Sequence, residues 1–535
     1  MPAWKRKPSS KTPLFQILSK AADVRKFTND HPELSIDEAI KLTRSKQKVN
    51  RREFLKSFAA AGALAGATPL FSACSSIYKG NIHRRSDARI VIIGAGMAGL
   101  NCARHLEKSG ITSSIYESSK RSGGRMYSTD NLIGKGITTE IGGEFIDSSH
   151  EDILSMVLEF GLELIDTHDD PLKSGFYFNN TRYTEEDAIK AFIPIAEKIE
   201  KDSASLGDNI NYQSLSDAKK FDEMNIAEYL DKIGANGWIR SLLEVAYVTE
   251  YGLDIEQQSA LNLVQLISTD TENGFHLFGD SDERFKIRGG NELLVKAIAK
   301  DISSPIHLEH RLESIRMKSG YYELHFSSPG NKCIVVPADI VICTMPFSTL
   351  RLVDFKSLSL SPLKQKCISE LGYGTNAKLF CGYSRRIWRE YGLNGNTQSD
   401  ESYQLLWDNS QLQPGIEGGL TFYSGGRSGV EVGTDTPKSQ IMKILPGVEK
   451  TFPGSSSLIN NIFERFHWPS HAHTLGSYAA YLPGQWTTFA GSEILPEGNL
   501  FFAGEHCSYE FQGFMNGAAE TGRKVAEVIT GKTSL

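Results

Sequence analysis

Each thing this chain has little of narrows what it can be. Its 535 residues hold seven cysteines. They are scattered, with no C-x-x-C pair and no Cys/His cluster, so no metal ligand is expected among them. No apolar run is long enough to span a membrane in the mature protein. Neither an internal repeat nor a long low-complexity tract is present. Negative charge outweighs positive outside the first segment. Residues 1–73 carry 14 Lys and Arg against 6 Asp and Glu, a net +8, so an overall charge of −6 leaves −14 on the remainder. An acidic body argues against nucleic acid as a main partner. Hydrophobic content of 40% and charged content of 23% are those of an ordinary soluble globular protein. The length supplies a large core and more than one domain.

The chain does carry a glycine-rich turn set between a buried strand and a helix. Ile90 to Ile93 is a short apolar run of the kind buried on both faces of a sheet. Gly94, Gly96 and Gly99 follow at G-x-G-x-x-G spacing, with Met97 and Ala98 between them. Gly94 permits the tight turn, Gly96 lets backbone approach a pyrophosphate, and Gly99 lets helix and strand touch. Leu100, Ala103 and Leu106 recur at helical spacing, and the start of that helix turns free N–H groups and a positive dipole end toward phosphates. A second strand, Ser113 to Tyr116, ends at Glu117, whose carboxylate can take a ribose hydroxyl pair. Strand, turn, helix, strand and acid in register make a dinucleotide-binding fold. Gly123-Gly124-Arg125 just beyond suits a cofactor lying extended along the sheet, the arginine pairing with a phosphate or with the flavin region, and resembles FAD proteins of the glutathione-reductase type.

The first 88 residues read as a leader. Asn50-Arg51-Arg52-Glu53-Phe54-Leu55-Lys56 resembles a twin-arginine export signal, and Ser57 to Ala73 is a weakly hydrophobic Ala/Gly-rich segment too short for a stable span. A flavin held without a covalent bond needs a folded pocket, and a route for folded proteins can carry it along. Phe71-Ser72-Ala73-Cys74 resembles a lipoprotein cleavage box, leaving open a membrane tether through Cys74 or a free enzyme, periplasmic or extracellular. Residues 1–49 are then a leader extension, 50–74 the signal and 75–87 a linker.

Further along, Thr138 to Asp147 holds Gly142-Gly143-Glu144-Phe145, and Ile189, Phe192, Ile195 and Ile199 mark an amphipathic helix, with Pro194 a kink, in a stretch from His150 to Gly279 that reads as mostly helical. Ile306 to Leu312, Tyr321 to Phe326 and Asp339 to Cys343 read as strands. Near the C-terminus an apolar strand ends in Ala503-Gly504-Glu505, followed by Gln512-Gly513-Phe514-Met515-Asn516-Gly517-Ala518 and a helix to Ile529. With the N-terminal turn, these motifs resemble the flavin-containing amine oxidases, the group of monoamine, polyamine and L-amino-acid oxidases, over essentially all of residues 88–531.

The resemblance implies an α/β protein: a glutathione-reductase-like FAD-binding domain of Rossmann-type βαβ build (88–150, 283–346 and 470–535) and an α+β substrate-binding domain of inserted segments (151–282 and 347–469). It implies that Gly142, Gly143, Glu144 and Phe145 pass beside the flavin and that Leu312 lends backbone groups to the adenine. It further implies that Glu505, between Gly504 and Gly513, bonds the ribityl chain while the N–H of Met515 faces the flavin ring. Ser477 stands where monoamine oxidases have a cysteine bonded to FAD, so attachment is expected to be non-covalent. Tyr478 and Phe514 match the two aromatics that sandwich the substrate nitrogen, and Lys378 matches a lysine that holds a water near flavin N5. The implied reaction is oxidation of an amine to the imine, hydrolysis to a carbonyl compound and ammonia, and reduction of O2 to H2O2. Phe145 occupies the place of an arginine that L-amino-acid oxidases use for the substrate carboxylate. Asp147 falls where plant-type polyamine oxidases carry an acid; it could bind a distal ammonium or cap the helix beginning near His150. The substrate stays open between amine and amino acid, as does an oligomer. So do two alternatives: a related desaturase or protoporphyrinogen-type oxidase, and a flavin-bound protein without turnover.

Overall fold

The computed structural model describes residues 88–206, 210–214, 217–266, 282–330 and 332–533. Residues 1–87, with the expected export signal and Cys74, lie outside the described residues. The β-branched run Ile90–Ile93 forms a strand buried on both faces, the central place of a five-stranded parallel sheet. Its order is Leu500–Phe502, Ile340–Cys343, Ile90–Ile93, Ser114–Tyr116 and Ile306–His307. Strands from the two ends of the described chain therefore lie two places apart in one sheet.

Two helices from those same ends pack together against it. Met97–Glu107 buries Leu100, Ala103 and Leu106, while Met515–Ile529 buries Ala519, Val525 and Ala526, and all six join one core with Ile90 and Ile92. The helices approach at backbone distance. Asn101 Nδ2 donates to the Ala519 carbonyl at 2.8 Å, and a Cβ on Gly522 would run into the Ala98 carbonyl oxygen.

The stretch expected as one strand, Ile306 to Leu312, is two. Ile306–His307 closes the parallel sheet, and Arg311–Lys318 opens a three-stranded antiparallel sheet with Tyr321–Ser328 and Lys332–Ala338. The break falls at Glu309, held in the left-handed region at φ 58°. There the N–H groups of Glu309 and His310 donate to the Ser119 and Glu117 carbonyls, turning the chain past the end of Ser114–Tyr116.

The second lobe is built on a seven-stranded mixed sheet, in the order Ile459–His467, Ala377–Tyr383, Gly418–Ser424, Leu405–Asp408, Leu393–Ser399, Lys173–Phe178 and Thr181–Tyr183. The last two are strands inside 150–279, a stretch that among its described residues is otherwise mostly helical, as expected. They form a hairpin whose turn residues, Asn179 and Asn180, both take positive φ, the conformation that two-residue hairpin turns require. The helix Glu185–Ala204 does bury Ile189, Phe192, Ile195 and Ile199, with Pro194 inside it. A capping box starts it: Thr184 Oγ1 accepts from the Asp187 N–H and the Asp187 carboxylate accepts from the Thr184 N–H. Among the described residues no helix is long and apolar enough to cross a membrane.

Candidate active site

A continuous cavity of about 480 Å³ runs from the carboxyl ends of the parallel strands to the mixed sheet. The nucleotide side is made of backbone. The helix Met97–Glu107 begins at Gly96 and the helix Met515–Ile529 at Phe514, neither with a side-chain cap, so first-turn N–H groups of both remain for a ligand. A Cβ on Gly96 would meet only the Gly124 Cα, at 4.0 Å, which leaves the backbone open to the cavity. Gly99 alone of the expected cofactor residues does not line the cavity; it sits beneath, where a Cβ would strike the Gly94 carbonyl oxygen. Glu117 is buried, its two carboxylate oxygens accepting from the N–H groups of Ala95 and Ser119, each at 2.8 Å. These features fit an extended dinucleotide: Gly94, Gly96, Met97 and Ala98 at a pyrophosphate, Glu117 at a ribose and Leu312 at the base end of the cavity.

Arg125 and Glu505 meet in the middle of the cavity. Arg125 Nη1 donates to Glu505 Oε1 at 2.8 Å and to the Ser477 carbonyl at 2.7 Å. Glu505 also accepts from the N–H of Gly513 at 2.8 Å and of Ala479 at 3.3 Å. Through one nitrogen, the arginine expected to face a phosphate or flavin thus joins the N-terminal turn to the C-terminal motif, and its side chain lines the cavity. Gly124, Gly142, Gly143, Gly504, Gly513 and Met515 line the cavity around this pair. Ser477 donates its hydroxyl to Asn376 at 2.7 Å.

The far end is aromatic and charged. Tyr478, Phe514 and Phe145 line it together with Trp407 and Tyr423, two residues that sequence reasoning missed. Tyr423 and Tyr478 share a hydroxyl–hydroxyl bond at 2.8 Å, and Tyr478 donates to the Thr249 carbonyl at 3.2 Å. Burial pushes both phenols up, so both are neutral donors. Tyr423 lies directly across from Lys378 in the pairing of Ala377–Tyr383 with Gly418–Ser424, so the lysine that was found marks the tyrosine that was not.

Lys378 is buried with its Nζ 3.0 Å from the Glu140 carbonyl, 2.9 Å from the Gly142 carbonyl and 3.1 Å from Glu144 Oε2. An ammonium has three donors, and all three are occupied, which leaves none to hold a water. Here the lysine pins the Gly142–Gly143 backbone to the mixed sheet. Glu144 is held from its other oxygen by Lys286 at 3.3 Å.

Asp147 does not cap a helix. Glu151–Glu159 starts from His150 without a side-chain cap, and Asp147 Oδ1 instead accepts from the N–H of Glu283 at 2.8 Å. Both Asp147 and Glu283 line the cavity. Glu283 carries no sequence signal, being one acid in an Asp-Glu-Arg run. Among the described residues, no group of His, Cys, Asp and Glu is arranged to hold a metal ion.

A family model described as flavin containing amine oxidoreductase matches residues 97–530. The L-amino acid dehydrogenase of Synechocystis sp. is 24% identical over 477 residues, 83% of this chain and 95% of that protein. The pseudooxynicotine dehydrogenase of Pseudomonas sp. is 25% identical over 523 residues, 92% and 98% of the two chains. Among solved structures, cyclohexylamine oxidase from Brevibacterium oxydans IH-35A aligns with a TM-score of 0.73 at 21% identity, covering 83% of this chain and 99% of that one. Putrescine oxidase bound to putrescine aligns at 0.70 and 20%, with the same coverage. At those identities the likeness to the solved structures is one of fold.

Proposed function

The chain belongs to the flavin containing amine oxidoreductase family, and on that premise we propose that it oxidises an amine, whether primary amine, polyamine or L-amino acid, with O2 as acceptor. Its cofactor is FAD, held without a covalent bond. When bound, FAD supplies the two-electron acceptance that no side chain can. The amine becomes an imine, which water hydrolyses to a carbonyl compound and ammonia or a smaller amine. O2 takes the electrons and leaves as H2O2.

The observation that carries this reading is that the dinucleotide cradle and an aromatic chamber are one cavity. Tyr478 and Phe514 offer ring faces to an amine nitrogen and orient its α-carbon. Tyr423 fixes the Tyr478 ring through the shared hydroxyl bond, and Phe145 and Trp407, with ring centroids 6.0 Å apart, crowd water from the same space.

One observation favours a second reading, in which the amine is oxidised but another acceptor takes the electrons. The Lys378 ammonium, with Glu144 and two carbonyls as partners, has no donor left over to hold a water or O2. A panel of primary amines, polyamines and L-amino acids tests both readings. Peroxide formed in step with the carbonyl product supports O2. Product formed only with an added electron-accepting dye supports the second reading. An absence of product under both conditions contradicts amine oxidation.

We also propose export by the twin-arginine route, which places the enzyme in the periplasm or outside the cell. The support is the motif at Asn50–Lys56 and a cofactor that needs a folded pocket before transit. Replacing Arg51 and Arg52 by Lys is expected to retain the enzyme in the cytoplasmic fraction; an unchanged distribution on fractionation contradicts the route.

A further inference from the structure

The mixed sheet turns one row of side chains toward the cavity. Lys378, Tyr423 and Leu405 stand directly across from one another on neighbouring strands, and Gln398 stands across from Leu405 on the next. Strand residues two apart share a face, so Trp407 and Asn396 belong to the same surface, and both line the cavity. The register that sets Gln398 against Leu405 and Thr397 against Leu406 brings Asn396 beside Trp407 one step further on.

This end of the row is polar and unsatisfied. Trp407 is 7% exposed, and its indole Nε1 has no hydrogen-bond partner among the described residues. The same holds for Asn396 Oδ1. An indole nitrogen only donates and an amide oxygen only accepts, so a donor and an acceptor stand on adjacent strands without bonding each other. Gln398, buried in the same row, leaves both amide atoms unpartnered and so satisfies neither. Buried polar atoms of a native fold are nearly always paired, and three such side chains on one strip of sheet mark a place where a polar partner enters. The Trp407 ring packs against Phe145, with centroids 6.0 Å apart, and Tyr423, at 5.4 Å, so packing sets the direction of its N–H. Lys378, 5.2 Å from the same ring, has its three hydrogens on Glu144 and two carbonyls. Asn396 and Trp407 are neutral, and an ion buried against them would find no countercharge in the pair. A neutral group that both donates and accepts satisfies both atoms at once.

We infer that Trp407 and Asn396 form a subsite for a neutral hydrogen-bonding group at the far end of the substrate, so the enzyme prefers amines ending in a hydroxyl or a primary carboxamide to plain alkylamines. The inference rests on the amine-oxidising reading above and narrows it. Tyr478 and Phe514 receive the nitrogen that reacts, and the polar pair anchors the other end. Adjacent strands lie about 4.8 Å apart, which puts the Asn396 strand about 10 Å from the strand of Tyr423, the partner of Tyr478. An alkylamine of equal length leaves the donor and the acceptor unpaired, and a site built for a polar partner discriminates against an analogue lacking it.

The test uses the FAD-loaded enzyme with ω-hydroxyalkylamines, ω-amino carboxamides and n-alkylamines matched in length, over a range of lengths. Carbonyl product is measured with O2 and with an accepting dye. A neutral hydrogen bond is worth about tenfold, and leaving its buried partner unpaired about as much again. The better polar series is therefore expected to exceed its alkyl match about 100-fold in kcat/KM at the best length, and whichever series that is names the group. Trp407→Phe keeps a ring and removes the donor; it is expected to lower the ratio about tenfold, and Asn396→Leu, which removes the acceptor, to lower it in the same direction. The ratio compares two substrates on one protein, so damage that slows both cancels. A wild-type ratio near one at every length overturns the inference without any variant, as when an ordered water alone joins the two atoms. So does a ratio that Trp407→Phe leaves unchanged. If no series gives product, the amine-oxidising reading fails and this inference fails with it, which is a different result from oxidation without preference.

Discussion

Single residues in this site are governed by the cost of burying charge. Glu140 shows it most clearly. Its carboxyl is buried beneath the flavin-side loop, receives the Ser128 hydroxyl and the Asn291 N–H at 2.7 Å each, and is still pushed up to about 7, because burial outweighs both bonds. The folded state therefore keeps a proton that the unfolded chain, with an ordinary value near 4.5, releases. Between those values the fold loses stability as pH rises, by on the order of 3 kcal/mol in all, and above about 7 the deficit is constant. Glu140→Gln has no proton to lose. Its stability relative to wild type is expected to rise across that pH window and then level off, as measured by denaturant unfolding at several pH values. A difference that does not change with pH contradicts the account.

Among elements, the decisive contact is the crossing of Met97–Glu107 with Met515–Ile529. Both helices aim uncapped N-termini into the cavity, so their spacing sets where two groups of N–H donors lie. Gly522→Ala puts a Cβ against the Ala98 carbonyl. It is expected to cost about 1–3 kcal/mol of stability and to weaken FAD binding about tenfold as the helix ends part. A variant with unchanged Tm and unchanged FAD affinity would show that the crossing has slack.

This was also the most legible part of the sequence. Strand, glycine turn and helix each have their own period, and the Ala503-Gly504-Glu505 strand end leads into an equally regular helix. What was hidden has a common cause, since it depends on pairing rather than on local pattern. Tyr423 and Trp407 are ordinary strand aromatics until Gly418–Ser424 is set beside Ala377–Tyr383. The hairpin of Lys173–Phe178 lies in a stretch otherwise rich in helices and is fixed by the sheet edge it joins. Glu309 splits a run of strand-like residues through a left-handed turn that its own side chain does not announce. Asp147 sits just before a helix, where capping is the commonest use of an aspartate, yet its partner is Glu283, far along the chain.

For the whole molecule, the chain leaves the parallel sheet to build the mixed one and returns to finish the parallel sheet with its last strand. One cavity is the consequence. Its nucleotide side needs both ends of the chain, and its aromatic side needs the strands between. The Arg125–Glu505 pair at 2.8 Å lies where those contributions meet. The measurement that tests this most directly is the visible absorbance of the purified, FAD-loaded enzyme when an amine is added without oxygen. The account predicts that the yellow colour bleaches, because substrate and flavin share the cavity. A flavin that keeps its colour across monoamines, diamines and amino acids, in a protein shown to hold FAD, would contradict it.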